Sequence, residues 1–343
     1  MNVGTAGRGE GPFVWRDAGR IVLFEEGSLR EAPWLLAEQG VGDFELLASG
    51  RALREAGELA AAAASTHEVP SGQVPGIAAA LLGDAGSARQ LVALGGGRVI
   101  DVAKAIASVT GAGVTAIPTT MSGAEMTGIH RLPEGAEGRA AGLVRPRVVI
   151  ADPLLMTSQP ERRLRASSMN ALAHGADSLY TRFANPVSRM TALRGAELIA
   201  AALDQAPGER DRAGLALGSL LCGYAIDSAL FAIHHVVCQT LVRVCGSPHA
   251  QTNAAILPRA MAFMASRAPA EIADLAAAIG TEPAAIGSRI LALGGDPEGI
   301  GAAGADRSKL DHALDAILQR PELGFAPQPP NRAELEQLVQ AAW

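Results

Sequence analysis

Cysteine and aromatic residues are scarce in this 343-residue chain, which has three Cys, three Trp, two Tyr and seven Phe. Cys222, Cys238 and Cys245 are odd in number and show no C-x-x-C spacing. That pattern excludes a disulfide framework and indicates reduced thiols, as in a cytoplasmic protein. The hydrophobic content of 48% is still ample for a buried core.

Basic charge and long apolar runs are also missing. The net charge of −6 argues against a general nucleic-acid binder, which needs a basic surface. The longest apolar run, 213–226, is too short to cross a bilayer, and we expect a buried helix there. The first residues lack the basic start and apolar core of a signal peptide, and 1–12 read as a disordered lead. We therefore expect a cytoplasmic protein with neither membrane nor nucleic-acid partners.

The first part of the chain alternates short β-branched runs with helical ones, each followed by Gly or Pro. This pattern predicts an α/β dinucleotide-binding domain over 13–153, built on a Rossmann-like parallel sheet. The predicted strands are 21–24, 44–48, 90–94, 114–117 and 147–150, and the predicted helices are 29–38, 51–64 and 99–109.

Strand patterns vanish after 153, and Ala/Leu-rich helical segments follow one another. We expect an all-α catalytic domain over 154–343, and a ligand-binding cleft where the two domains meet. The predicted helices are 160–182, 187–205, 211–245, 250–265, 269–279, 284–293 and 331–342.

Three glycines, Gly95, Gly96 and Gly97, lie between a predicted strand and a predicted helix. Glycines there let backbone N–H groups approach a diphosphate at the helix N-terminus. The motif is not G-x-G-x-x-G, so a phosphate loop and a simple tight turn both remain open. The candidate cofactor contacts in and after this turn are the three glycines, Arg98, Asp101 and Lys104.

A second loop follows the strand at 114–117 and carries Thr119, Thr120 and Ser122. These hydroxyls could bind ribose and nicotinamide, or be ordinary turn chemistry. Ligand binding is favoured because both loops leave the carboxyl ends of parallel strands. Ser49 follows another strand, and no acidic residue there would hold a ribose 2′-hydroxyl. NADH and NADPH are therefore both compatible with the sequence.

The histidines suggest a catalytic site. Asn170 and His174 are four residues apart, so they share one face of a helix. His235 and His249 follow fourteen apart, the second after a helix stop. Three imidazoles and one oxygen ligand suit a divalent transition metal, but an amide lacks the charge of a carboxylate. A single such histidine is usually a hydrogen-bonded core residue, whereas three favour metal binding or substrate handling.

These motifs resemble the iron-containing alcohol dehydrogenase superfamily, and within it the maleylacetate reductase branch. The similarity extends from Phe13 to Trp343. The resemblance implies a homodimer that reduces a small anionic substrate with NADH or NADPH. The matching segments are the glycine turn with Asp101 and Lys104 (diphosphate loop), 117–127 (nicotinamide side), 151–153 (domain junction), 168–174 (ligand helix) and 331–343 (closing helix).

The metal-dependent branch of the superfamily carries Asp-x3-His followed by His-x13-His. Asn170 stands in place of that Asp, as in maleylacetate reductases, which are regarded as metal-independent. The resemblance thus implies no tightly bound metal. A metal, if bound, would be held by His174, His235 and His249.

Two residues depart from the family pattern. Arg98 replaces a common serine, although the glycerol dehydrogenase branch also has a basic residue there. Gln239 replaces a histidine associated with proton handling, and glutamine is not a general acid. His130, His234, His235 or water would then supply the proton, and Arg131 or Arg259 would hold a substrate carboxylate. The candidate catalytic residues are His174, His235, His249, Asn170, Gln239 and His130.

These departures leave a second hypothesis open: a redox-silent lyase, dehydratase or cyclase on the same scaffold. Such an enzyme would bind NAD(P) weakly or keep it as a structural group. A cofactor titration separates the two hypotheses.

Overall fold

The chain forms two compact units in the computed structural model, which describes residues 19–136, 138–140, 142–295 and 297–343. One unit ends at Gln159 and the other begins at Pro160, slightly after the predicted boundary at 153. The expected disordered lead, 1–12, lies outside the described residues, as do positions 13–18 of the predicted α/β domain.

Six parallel strands form the sheet of the first unit, in the order β1-β6-β5-β4-β2-β3. All five predicted strands are present, so the predicted α/β class is confirmed. The exposed edge strand β3 was missed because its residues are mostly polar. The strands are β1 Ile21–Phe24, β2 Glu45–Ala48, β3 Ser65–Glu68, β4 Gln90–Gly95, β5 Gly113–Pro118 and β6 Val148–Ala151.

Helices cover both faces of this sheet, which explains why its central strands are continuous apolar runs. Alternate residues of β4 face opposite sides: Leu91 and Ala93 pack with α4 and α5, whereas Val92 and Leu94 pack with α1, α2 and α3. These helices are α1 Ala32–Glu38, α2 Gly50–Glu55, α3 Gly57–Ala62, α4 Val74–Ala85 and α5 Gly97–Thr110, and a short α6 Pro153–Met156 ends the unit.

One helix prediction in this unit is wrong, and one helix was missed. The single helix predicted at 51–64 is wrong, because the chain breaks into α2 and α3 where Gly57 adopts a positive φ of 45°. Helix α4 was not predicted.

The order of the strands places a crevice between β2 and β4. From β2 the chain continues to β3 at one edge, then returns to β4 and runs toward the other edge through β5 and β6. Adjacent strands whose connections diverge in this way leave a crevice at their carboxyl ends, where α/β sheets bind ligands. Ser49 follows β2, and the glycine turn follows β4.

The second unit is all-helical over its described residues, as predicted, with α14 as a helix that the sequence pattern did not indicate. Glycines let α7, α8 and α9 approach closely: a Cβ on Gly195 would lie 2.6 Å from Cys222 Sγ. The helices are α7 Glu161–Tyr180, α8 Pro186–Asp204, α9 Arg212–Ala229, α10 Ile233–Cys245, α11 His249–Met264, α12 Pro269–Ala278, α13 Ile286–Gly294, α14 Leu310–Leu318 and α15 Arg332–Gln340.

The prediction of one helix over 211–245 is wrong. Helix α9 ends at Ala229, Leu230 adopts a positive φ of 59°, and α10 begins at Ile233. A non-glycine residue in that backbone region is strained, so the surrounding structure must enforce the break. Within the described part of the chain, no single helix is long and apolar enough to cross a membrane; α9 and α10 pass that test only as a pair bent by 96°.

Candidate functional site

A buried carboxylate that sequence reasoning missed, Asp177 on α7, organises a histidine cluster in the helical unit. It accepts hydrogen bonds from the backbone N–H groups of Ala232 (3.1 Å), His234 (3.4 Å) and His235 (3.1 Å) at the start of α10. A carboxylate at a helix N-terminus is favoured by the unpaired N–H groups and by the helix dipole. This contact enforces the break between α9 and α10.

Asp177 also fixes the His235 side chain. The Nδ1 atom of His235 lies 2.8 Å from Asp177 Oδ2, and the Tyr180 hydroxyl donates to Asp177 Oδ1. Burial pushes the pKa of Asp177 up, but its hydrogen bonds to His235 and Tyr180 and the nearby histidines together lower it to about 2. Since a carboxylate only accepts, Nδ1 carries a proton, and Nε2 is the ring nitrogen of His235 that Asp177 does not engage. Nε2 is buried and has no hydrogen-bond partner among the described residues.

His174 stacks on His235, with ring centroids 4.9 Å apart and planes within 15°. Burial, followed by the neighbouring His235, lowers the pKa of His174 well below its usual value, so its ring is neutral. Its Nδ1 atom is also buried without a hydrogen-bond partner in the described part of the chain. The two stacked imidazoles thus keep one unpartnered ring nitrogen each.

His234 and His249 complete the cluster. The Nε2 atom of His234 lies 2.9 Å from Asn253 Oδ1, and Asn253 donates to the His249 carbonyl at 2.9 Å. Burial, then His235, lowers the pKa of His234 to about 3, so His234 is a poor proton donor. The imidazole of exposed His249 is near enough to depress the pKa values of both His174 and His234. The structure therefore brings the three predicted histidines together.

The residues of the helical unit do not fit a metal site of the Asp/His type. Asn170 lies one turn before His174, where a carboxylate would be needed, and is buried. The nearest carboxylate, Asp177, is already occupied by five donors. Across the described ranges, no group of three or more His, Cys, Asp or Glu side chains is placed to hold a metal ion.

In the α/β unit, the glycine turn is packed too closely for side chains. A Cβ on Gly95 would lie 2.5 Å from Val99 Cγ2, one on Gly96 would lie 3.0 Å from Thr120 Cγ2, and one on Gly97 would lie 2.9 Å from Ser122 Cβ. Helix α5 starts at this turn without a side-chain cap, which leaves its first N–H groups available to an anion. The turn and the second loop thus form one surface.

Lys104 joins the same two loops from inside. Its fully buried ammonium group donates to the Ala124 carbonyl at 3.0 Å and pairs with Asp101 Oδ1 at 2.9 Å. Lys104 therefore ties α5 to the loop after β5, and its predicted direct contact with cofactor stays a prediction. The Thr119 N–H donates to the Gly95 carbonyl at 3.0 Å, another link between the two loops.

The remaining predicted residues of this unit have local roles. The Ser49 hydroxyl caps α2 by accepting from the Ala52 N–H at 3.3 Å, and Arg98 is exposed on the first turn of α5. Both ring nitrogens of His130 are engaged: Nε2 accepts from the Val144 N–H at 3.1 Å, and Nδ1 lies 3.1 Å from the Arg131 carbonyl. Burial lowers the pKa of His130.

Gln239 lies one turn after His235 on α10, as predicted, and contacts an arginine that sequence reasoning missed. Its Oε1 accepts from Arg320 Nη2 at 3.2 Å. Arg259 donates to the carbonyls of Ala341 (3.2 Å) and Ala255 (2.9 Å), and its predicted contact with a substrate carboxylate stays a prediction. No sequence pattern marks Arg320, which lies 81 residues from Gln239.

Two family models match the chain. The one described as iron-containing alcohol dehydrogenase matches residues 20–153, and the C-terminal model of the Fe-containing alcohol dehydrogenase family matches residues 165–343. The chain belongs to the iron-containing alcohol dehydrogenase family. It is accordingly an NAD(P)-dependent oxidoreductase, and the resemblance read from the motifs is confirmed.

Known relatives point to one branch of that family. Maleylacetate reductase 1 of Rhodococcus opacus is 35% identical over 262 residues, covering 74% of this chain and 72% of that protein. The maleylacetate reductase of Rhizobium sp. (strain MTP-10005) is 31% identical over 97% of this chain and 98% of that protein. The crystal structure of maleylacetate reductase from Agrobacterium tumefaciens has a TM-score of 0.83 at 29% identity, covering 97% and 98%. The redox-silent hypothesis gains no support from these relatives.

Proposed function

We propose that this protein is an NAD(P)H-dependent reductase of small carboxylic acids that contain an electron-poor C=C or C=O bond, as in maleylacetate, and that it works without bound metal. The observation that carries the proposal is the Asp177–His235 pair, whose unused Nε2 atom lies beside neutral His174. The maleylacetate reductase relatives support the substrate class.

The α/β unit offers residues that fit a dinucleotide. The N–H groups at the start of α5 would hold the diphosphate, and Thr119, Thr120 and Ser122 would hold the ribose and nicotinamide side. When bound, the reduced nicotinamide supplies a hydride, which carries the two electrons that reduce the substrate.

His235 is suited to supply the proton that balances this reduction. A proton on Nε2 makes an imidazolium whose positive charge is compensated by Asp177 at 2.8 Å. Transfer of that proton to the substrate atom that gains electron density returns His235 to its neutral form. We assign His174, which stacks on that ring, and His249 to bind the developing enolate. Because His235 supplies the proton, Gln239 does not have to act as a general acid.

Metal independence is supported by the donor set. The amide of Asn170 replaces the carboxylate, and Asp177 has no unused oxygen to offer. Fixed hydrogen-bond donors stabilise the enolate of a conjugated acid without a Lewis acid. We also infer a homodimer, which light scattering would test.

One experiment tests activity and metal independence together. Chelator-treated protein, shown by elemental analysis to lack iron and zinc, is mixed with maleylacetate and either NADH or NADPH. We expect oxidation of one cofactor, loss of activity in His235→Asn, and normal activity in the surface control Asp315→Asn. Failure to oxidise either cofactor would contradict the reductase, and activity restored only by added metal would contradict metal independence.

A further inference from the structure

Arg320 is held rigidly beside α10. Its Nε and Nη2 atoms donate to Glu322 Oε2 (2.9 Å) and Oε1 (3.0 Å), and Nη2 also donates to Gln239 Oε1. The Arg320 and Glu322 side chains are only 19% and 25% exposed. A guanidinium group fixed in this way has already lost most of the rotamer freedom that binding would otherwise cost.

This arrangement leaves two NH2 groups without acceptors in the described part of the chain. Since a guanidinium group cannot accept, the Gln239 amide must turn its oxygen toward Arg320 and its NH2 group away. Neither Gln239 Nε2 nor Arg320 Nη1 has a hydrogen-bond partner within the described ranges. Two NH2 groups without acceptors match a carboxylate, which only accepts and which binds two parallel N–H donors well.

The position also suits the reaction. Gln239 follows His235 by four residues on α10, so the two side chains share one helix face with Cβ atoms about 5–6 Å apart. A carboxylate bound at Gln239 would therefore lie one helical turn from His235, whose Nε2 atom has no hydrogen-bond partner among the described residues.

We infer that Gln239 and Arg320 form the subsite that binds a carboxylate of the substrate and selects for it. This inference rests on the proposed function, because it assigns the substrate-binding contact of that same site. Gln239 keeps its donors at every pH, whereas a histidine at this position would repel Arg320 once protonated. Arg320 lowers the pKa of Glu322, so Glu322 is ionised at neutral pH and offsets part of the attraction for an anion.

Three variants test the subsite by steady-state kinetics with maleylacetate. Arg320→Gln should raise KM about 10- to 100-fold, with a smaller fall in kcat, because charge-assisted hydrogen bonds are lost. Glu322→Gln should lower KM several-fold, since it removes the competing charge. A variant that is merely misfolded would not bind its substrate more tightly, so a lower KM cannot be explained by a folding defect. Gln239→His should make KM depend on pH near 6–7. Arg332→Gln, an exposed ion-pair arginine on α15, is the matched control and should leave KM unchanged.

Calorimetric titration with succinate, a dicarboxylate without a C=C bond to reduce, separates this inference from the proposed function. Binding by the wild type that weakens at least tenfold in Arg320→Gln supports the subsite even if maleylacetate is not reduced, in which case only the proposed function fails. Equal succinate affinity in the two proteins, or a KM unchanged in both Arg320→Gln and Glu322→Gln, overturns it. A wild type that neither binds succinate nor reduces maleylacetate overturns both.

Discussion

Asp177→Asn is the most informative single substitution, because one carboxylate starts α10 and orients His235. Oδ2 accepts from the N–H groups of Ala232 and His235 and from His235 Nδ1, whereas Oδ1 accepts from the His234 N–H and the Tyr180 hydroxyl. The asparagine NH2 group must replace one of these oxygens. The Oδ1 position is cheaper, since the Tyr180 hydroxyl can turn to accept, which leaves the His234 N–H without an acceptor.

The loss of stability in Asp177→Asn can be calculated from these hydrogen bonds. One buried N–H without an acceptor costs about 1–3 kcal/mol, and the other donors exchange a charged acceptor for a neutral one. We expect the free energy of unfolding to fall by about 2–4 kcal/mol. His235 keeps its tautomer but loses the charge that compensates its imidazolium form. We therefore expect kcat to fall about 10- to 100-fold, the size of effect seen when a carboxylate that orients a metal-bound histidine is lost.

The assays are urea unfolding and the pH profile of kcat with saturating cofactor and maleylacetate. The alkaline limb of the profile should move to lower pH in Asp177→Asn, because protonated His235 has lost its counter-charge. A merely structural role of Asp177 would lower stability without moving that limb. Asp315→Asn removes a carboxylate that is 66% exposed and should change neither measurement. A folded Asp177→Asn protein with kcat within about threefold of wild type and an unmoved limb would refute this account of proton transfer.

Two further predictions concern the α/β unit. Burial raises the pKa of Glu125 to about 7, so the folded state keeps a proton that the unfolded chain releases above about 4.5. The stability that this carboxyl contributes is therefore fully present below about pH 4.5 and is lost as the pH rises through 7. Glutamine does not titrate, so the Tm of Glu125→Gln should rise relative to that of the wild type between about pH 5 and pH 8. If the Tm of wild type and variant fell equally over that pH range, the raised pKa of Glu125 would be contradicted. Gly97→Ala places a Cβ 2.9 Å from Ser122 Cβ and should raise the cofactor Kd about tenfold in a fluorescence titration, whereas Gly83→Ala, with nothing within 4 Å, should not. Equal Kd values would show that the turn does not contact the cofactor.

Local sequence patterns were sufficient for the parts of the site that are local. The glycine turn was found because a strand, three small residues and a helix follow one another directly, and β4 and α5 occur there. The pairing of Asn170 with His174 follows from the helical period alone. Ser65–Glu68 was missed as a strand because an exposed, polar edge strand lacks the apolar alternation that marks buried ones.

The break between α9 and α10 shows what local patterns miss. Helical periodicity continues across 211–245, so no sequence feature separates the two helices. The break is enforced by Asp177, which lies 55 residues before Ala232 in the chain. Asp177 itself lies in the buried second half of α7, where a carboxylate three residues after His174 was the available signal.

The amino-acid order was enough to establish the α/β and helical halves, the glycine and hydroxyl loops, the histidine set and the family to which they belong, because each depends on neighbours in the chain or on helical spacing. Tertiary structure alone decided which histidine keeps a lone pair and where Arg320 lies. His235 Nε2 is unused because a distant carboxylate takes Nδ1, and Gln239 presents its NH2 group because an arginine 81 residues away faces its oxygen. Proton and hydrogen-bond directions are set by such long-range partners, which no periodicity encodes.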